Sequence, residues 1–478
     1  MYDKIPNDWS VAKLEALLDY VIGGDWGKDS SFEEKDYVPV LCIRGSEFKN
    51  WNEEKGRTAS IRKIKVSSLK SRKLELGDIL LEISGGGPEQ PVGRTVIIDK
   101  SVLSFRPELP KVCTNFLRLL RPNKKIDSIF LNYFFELFYG SGEISKYQGG
   151  SNNLRNLKFN DFIGILIPLA PLPEQKCIVA KLEQLLTDLD KGTEYLKTAQ
   201  QQLKTYRQAV LKWAFEGKLT HPDVKDGELP EGWTWKKHSE IAEINPKLPF
   251  DKIDDDLEVS FVPMKLVEEE KNKIHLTEFK KYRDVKKGFT SFSNGDIIFA
   301  KITPCMENGK CAVVQGLKNS IGFGSTEFHV SRPRNGYNPY YIFYYLIQER
   351  FRREASKHFT GSVGQKRVPT SFFSEVLIPI PHVSSEQTKI VLEIESRLSV
   401  CDKLEETIAN ALQQAEALRL SIIKKAFEGR LLSEAERSAC RNDPDWEPAH
   451  KLLERIKATR NNPEKTTVKT RKNNKKSY

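Results

Sequence analysis

The string LKWAFEGKL, Leu211–Leu219, returns as IKKAFEGRL, Ile423–Leu431. Walking backward from these endings at a constant offset of 212 residues, the run from Glu174 to Leu219 aligns without a gap on Glu386 to Leu431. Nineteen of the 46 positions are identical, among them Glu174-Gln175 with Glu386-Gln387, Asp190-Lys191 with Asp402-Lys403, and Arg207 with Arg419. A mixed aromatic, acidic, glycine and basic string does not recur this way through composition, so one structural part is written twice. Each copy follows a short apolar strand signal rich in proline, ILIPLAPLPEQ from Ile165 and VLIPIPHVSSEQ from Val376.

Both blocks read as long helices. In the first, Leu182, Leu185, Leu189, Gly192, Leu196, Ala199, Leu203, Tyr206, Val210 and Trp213 follow one another at three-four spacing, the mark of a coiled-coil seam. The second keeps a looser seam through Ile394, Arg397, Cys401, Leu404, Ile408, Ala411, Ala415, Leu418 and Ile422. Ser384 with Gln387 has the form of a capping box, and Gly217 and Gly429 suit helix C-termini. A helix of about 40 residues is roughly 60 Å long. An apolar seam of that length needs a partner, and its own copy is the expected one.

The segments ahead of the helices also repeat in outline. IPNDWS at Ile5 answers LPEGWT at Leu229, and LELGDILLEIS at Leu74 answers FSNGDIIFAKI at Phe292. RPNKKIDSIFLNYFF at Arg121 answers RPRNGYNPYYIFYYL at Arg332, and GGSNNLRNL at Gly149 answers TGSVGQKRV at Thr360. Between these markers the residues diverge. The expected plan is a mixed α/β segment over 1–170, a helical spacer over 171–220, a second mixed segment over 221–381, a second spacer over 382–432, and a C-terminal helix with a basic tail over 433–478. Strands are expected around Val38–Ile43, Ile79–Ile83, Val96–Ile98, Ile297–Ala300 and Ala312–Val314, with aromatic helices around Ile129–Tyr139 and Tyr340–Glu349.

Seven cysteines without a CxxC pair point to a reducing compartment rather than a disulfide framework. No apolar run is long enough to span a bilayer and the first residues carry no secretion signal, so a soluble, cytoplasmic protein with no membrane partner is expected. The net charge of +11 is concentrated at the end: Lys457 to Tyr478 hold eight Lys or Arg against one Glu, leaving +4 for the rest. That tail reads as disordered.

The sequence carries no P-loop, HExxH, paired Cys/His set or GxSxG elbow. No catalytic residue and no metal site are expected. NPYY at Asn338 resembles the motif with which adenine methyltransferases grip the target amino group, but Asn338 and Pro339 equally suit the start of an aromatic helix. The loops SGGGPEQPVGR from Ser84 and KITPCMENGK from Lys301 occupy the same place in each half, as do GGSNNLR and GSVGQKR. Their small residues, amides and cations suit phosphates and base edges. Candidate DNA contacts are therefore Ser84, Arg94, Asn153, Arg155, Lys301, Lys310, Lys366 and Arg367, with base readers in the stretches Trp26 to Asn52 and Phe261 to Tyr282.

PLPEQKCIVAKLEQLL followed by AFEGKL, repeated after a second divergent segment, resembles type I restriction-modification specificity subunits over nearly the whole chain, including LLERIKATR at Leu452. PHVSSEQ at Pro381 departs from the family's Pro-Pro-Leu lead into Glu-Gln. The resemblance implies two target recognition domains of mixed α/β (α+β) fold, each reading half of a split double-stranded DNA target. They would be separated by two long helices paired as an intramolecular antiparallel coiled coil with pseudo-two-fold symmetry. It implies docking of two methylation subunits and two motor-nuclease restriction subunits. S-adenosylmethionine, ATP and Mg would belong to those partners, with no cofactor on this chain. Two other readings stay open on the residues alone: a non-catalytic coiled-coil scaffold for proteins, and a stand-alone adenine methyltransferase built on Asn338.

Overall fold

The computed structural model describes residues 5–87, 90–151, 154–248, 252–362 and 365–460. The basic tail and Asn153 lie outside them. The chain forms two compact units, Met1–Glu194 with Leu412–Tyr478, and Tyr195–Ala411. Both long helices are present, Leu172–Phe215 and Ser384–Phe427, each of 44 residues and beginning and ending at the same places of the repeat. Each contributes one part to the first unit and the other to the second.

In the first unit, strands Leu18–Gly23, Leu117–Pro122, Ile79–Glu82 and Thr95–Ile97 form an antiparallel sheet in that order. A second sheet places Tyr37–Ile43 between Ser60–Lys65, antiparallel, and Lys111–Cys113, parallel. A two-stranded pair joins Ser10–Lys13 to Leu166–Leu169. The helix Ser128–Gly140 is capped by Asp127, which accepts from the amides of Ile129 and Phe130 at 2.9 and 3.0 Å. It buries Phe130, Phe134, Phe135 and Phe138 against Phe162 and Phe427. Each such ring contributes about 2 kcal/mol of burial.

The second unit repeats this plan. Ala242–Ile244, Phe328–Pro333, Ile297–Ala300 and Cys311–Val313 form the antiparallel sheet. Glu258–Val262 lies between antiparallel Glu278–Lys281 and parallel Ile321–Gly324. Trp233–Lys237 pairs with Leu377–Pro381. One extra strand, Thr290–Ser293, joins its second sheet, whereas the first unit has instead a small sheet of Gln148–Ser151, Leu154–Leu157 and Ser84–Gly85. The aromatic helix expected over Tyr340–Glu349 is two helices, Pro339–Leu346 and Glu349–Lys357.

The markers shared between the halves have structural reasons. Asp78, within Gly-Asp, accepts both forks of Arg121 at 2.7 and 2.8 Å and the Glu75 amide at 2.6 Å. Asp296 does the same for Arg332, at 2.7 Å twice, and the Ser293 amide at 2.8 Å. Gln175 accepts from the Asp127 amide at 2.9 Å, and Gln387 from the Asn338 amide at 2.9 Å, so each ties the start of a long helix to the start of an aromatic one. Gln387 is thus not the second half of a capping box, because its side chain is spent on this longer contact. Gly217 and Gly429 adopt φ of +78° and +67° at the two helix ends, with Lys218 and Arg430 amides returning to the carbonyls of Trp213 and Lys425.

The buried faces of the long helices correct the expected seam. Leu182, Leu189, Leu196, Leu203 and Val210 are buried or half-buried, as are Ile394, Ile408 and Ile422. Leu404 and Leu418, however, are 46% and 50% exposed. Positions 182, 186, 189, 193, 196, 200, 203, 207, 210 and 214 are sheltered, as are their counterparts 212 residues on in the second helix, alongside the expected seam residues Leu185, Ala199, Arg397 and Ala411. Glu405 and Arg419 hold the places assigned to Leu404 and Leu418. They do so because ion pairs satisfy their charges there: Arg207 Nε lies 3.0 Å from Glu405, and Arg419 Nε 2.8 Å from Glu136.

Candidate nucleic-acid interface

In the first unit the loop that leaves strand Ile79–Glu82 carries Ser84 and Arg94. Ser84 and Gly85 pair with Asn156 and Arg155 of the hairpin Gln148–Leu157, so this loop and the hairpin form one surface. Arg94 is not a free cation. Its guanidinium grips Glu82 at 2.7 and 2.9 Å and the Gly45 carbonyl at 3.1 Å. Glu82 is itself buried, so Arg94 holds the loop in place. Arg155 is half-buried on its strand and has no carboxylate partner among the described residues.

The second unit assembles the equivalent loop cluster. The Val368 amide donates to the Lys301 carbonyl and the Thr303 amide to the Lys366 carbonyl, while Ala300 N donates to the Lys310 carbonyl. Four expected contacts, Lys301, Lys310, Lys366 and Arg367, therefore share one end of the sheet. Lys366 is exposed. Lys310 Nζ donates to the Met264 carbonyl at 3.3 Å. Arg367 forks onto Glu327 at 2.8 Å twice and holds that carboxyl below its usual pKa. Arg352, buried in helix Glu349–Lys357, reaches Glu270 and the Glu307 carbonyl and so braces the 302–310 loop from beneath.

The stretches expected to hold base readers are partly strand. Tyr37–Ile43 and Glu278–Lys281 are built into sheets; the first buries its apolar run Val40–Ile43, whereas Phe279 of the second stays 46% exposed. Their aromatic residues carry cations: Arg62 lies 4.3 Å over Trp26, and Lys280 lies 3.7 Å over Phe261. Arg62 was not apparent from the sequence, since its ring partner is 36 residues away. A strand-order argument that pairs Lys63 with Lys28 would have been needed to find it.

Asn338 serves as a helix cap. Its side-chain oxygen accepts from the Tyr340 amide at 2.9 Å and its own amide is bound to Gln387. Among the described residues no group of three His, Cys, Asp or Glu could hold a metal ion, and no helix is long and apolar enough to cross a membrane.

A family model described as type I restriction modification DNA specificity domain matches residues 6–204 and again 230–414. The Escherichia coli type I restriction enzyme EcoAI specificity subunit is 39% identical over 276 residues; the match spans 49% of this chain and 45% of that relative. The EcoKI specificity subunit of Escherichia coli K12 is 26% identical over 96% of both chains. The fold is shared with the HsdS subunit from Thermoanaerobacter tengcongensis, at TM-score 0.52 and 19% identity over 89% of this chain and 98% of that one. It is shared more fully with a chain solved in work on complex assembly and conformational transition of the type I R-M system, at TM-score 0.64 and 18% identity over 90% and 100%. Two matched domains and two sheets of one topology agree: the chain belongs to the type I restriction modification DNA specificity domain family.

Proposed function

We propose that this chain is the DNA-reading subunit of a type I restriction-modification complex, non-catalytic by itself and acting in the cytoplasm. The observation that carries the reading is the repetition of one sheet plan in two units, each bringing equivalent loops to the same end of its sheet while the loop sequences differ. Two unlike readers on one chain call for a bipartite double-stranded target with an unread gap of fixed length. Half-sites about one helical turn apart, near 34–36 Å, suit such an arrangement.

In this reading the two long helices pair antiparallel as a coiled-coil spacer with approximate two-fold symmetry. The support is that Asp190 pairs with Arg419, and Asp402 with Arg207, positions that are equivalent in the repeat. A repeated scaffold offers two like surfaces, suited to two methylation subunits that bind S-adenosylmethionine and two restriction subunits that use ATP and Mg. The capped Asn338 disfavours a methyltransferase centred on this chain.

The test is a genome-wide map of adenine methylation with the gene intact and deleted. Loss at a single split motif with a constant gap is the expected result and names both half-sites. Unchanged methylation, in a strain where the methylation subunit is expressed, would return the chain to a protein-binding scaffold.

A further inference from the structure

Strand Leu117–Pro122 sends alternate side chains to opposite faces of the first unit's sheet. Leu120 belongs to the core beneath the aromatic helix, while Leu117 and Leu119 belong to the core on the other face. Arg118 shares the face of Leu120. Its guanidinium carbon lies 3.9 Å from the centre of the Phe159 ring. Its Nε is closed off from solvent and meets no hydrogen-bond partner among the described residues. Burial lowers its pKa, with no charged neighbour among the described residues to offset it. Other arginines of this sheet are forked onto carboxylates, Arg94 on Glu82 and Arg121 on Asp78. A half-buried cation without a counter-charge costs free energy in the unbound chain, and an arriving anion removes that cost.

The position of Arg118 is equally informative. It stands opposite Gly23 in one neighbouring strand and Leu81 in the other. Gly23 ends its strand, and Leu81 stands three residues before Ser84. Arg118 is therefore at the edge from which the Gly24 and Ser84 loops depart. Residues directly opposite in an antiparallel pair project to one face, and a Cβ built on Gly23 would meet nothing within 4 Å. The space beside Arg118 is open.

We propose that Arg118 is a phosphate-binding residue of the first unit, held against Phe159 with its terminal nitrogens presented to a DNA backbone phosphate beside the Ser84 loop. This rests on the DNA-reading function above and adds a contact to it. The equivalent place in the second unit is His329, which is buried and bonded to the Val368 carbonyl at 2.8 Å. The contact therefore belongs to one half-site only.

The experiment is a salt series of DNA binding by the full chain with its methylation subunits, on a duplex carrying the mapped target and on an unrelated duplex. Arg118→Gln removes the charge, and Arg118→Met, which packs on Phe159, serves should the first not fold; thermal melts check both. The expected result is a loss of about three- to ten-fold on both duplexes, with the slope of log affinity against log salt reduced by about 0.9. An unchanged slope in a folded variant overturns the proposal, as does a loss confined to one base pair of the target, which would make Arg118 a base reader. Wild-type complex that binds neither duplex would bring down the DNA-reading function itself. Wild-type binding matched by the variants brings down only the role of Arg118.

Discussion

Asp190 Oδ1 lies 3.0 Å from Arg419 Nη1 in the first unit, and the equivalent residues of the repeat, Asp402 and Arg207, meet at 2.5 Å in the second. Each long helix thus lends its aspartate to the other's arginine. Both aspartates are more than 60% exposed, so each pair is worth only about 0.5 kcal/mol of coupling. The larger anchors are Glu136 and Glu405, which the same arginines also hold. A double-mutant cycle of Arg207→Ala with Asp402→Ala, read by urea unfolding, should return that small coupling. Exchanging the two residues, Arg207→Asp with Asp402→Arg, should recover more stability than either change alone.

The Asp296–Arg332 pair should matter far more. Asp296 is 1% exposed and, among the described residues, its carboxylate is satisfied by Arg332 and the Ser293 amide alone. Removing the guanidinium leaves a buried carboxylate uncompensated, at a cost of about 3 kcal/mol. Arg332→Ala should lower the unfolding free energy of the second unit by that amount, read as an earlier unfolding midpoint at unchanged m. Arg332→Lys should recover only part, because an ammonium cannot fork onto both oxygens. Arg121→Ala is the matching variant for Asp78 in the first unit.

Acid should act unequally on the two units. His238 and His329 in the second unit are pushed down to about 4 by burial, each with its ring bonded to a backbone carbonyl. Both are neutral when folded, and the unfolded chain takes up protons near pH 6.5. The stability they confer is fully present above about pH 6.5 and is lost as pH falls from there through about 4, by roughly 3 kcal/mol for each at most. The first unit has no buried histidine among its described residues, and burial shifts its Asp78 and Glu174 upward, the opposite sense. Hydrogen exchange followed from pH 7 to pH 5 should show strands Ile297–Ala300 and Phe328–Pro333 losing protection before Ile79–Glu82 and Leu117–Pro122. Equal loss in both units would contradict this.

The fold was legible wherever local pattern and repetition coincide. The long helices were expected because an apolar spacing persists through both copies, and strand Ile297–Ala300 because its four buried residues form an unbroken apolar run. What misled was the seam. Apolarity chose Leu404 and Leu418, while the sheltered places belong to Glu405 and Arg419, whose charges are matched by residues distant in sequence. The candidate site was legible as loops and not as atoms. Arg94 and Arg367 read as free cations, yet Glu82 and Glu327 claim them. Arg118 carries no motif, and only its place on a strand opposite Gly23 gives it meaning.

The glycines of the repeated block give a prediction of opposite signs. A Cβ on Gly217 would stand 2.1 Å from Pro230, and one on Gly429 2.4 Å from Pro6, with both backbones in the left-handed region. The two prolines are equivalent too, from LPEGW and IPNDW, so each unit packs the end of a long helix against the start of its own globular segment. Gly217→Ala and Gly429→Ala should each destabilise their unit by about 2 kcal/mol, through strain and the displaced proline together. Gly192 sits within helix Leu172–Phe215, where an added Cβ meets nothing within 4 Å. Gly192→Ala should stabilise the chain by about 1 kcal/mol, because the helix no longer has to order a glycine. Thermal melts of the three variants decide it. A stabilising Gly429→Ala would mean that Pro6 does not rest on that helix end in solution.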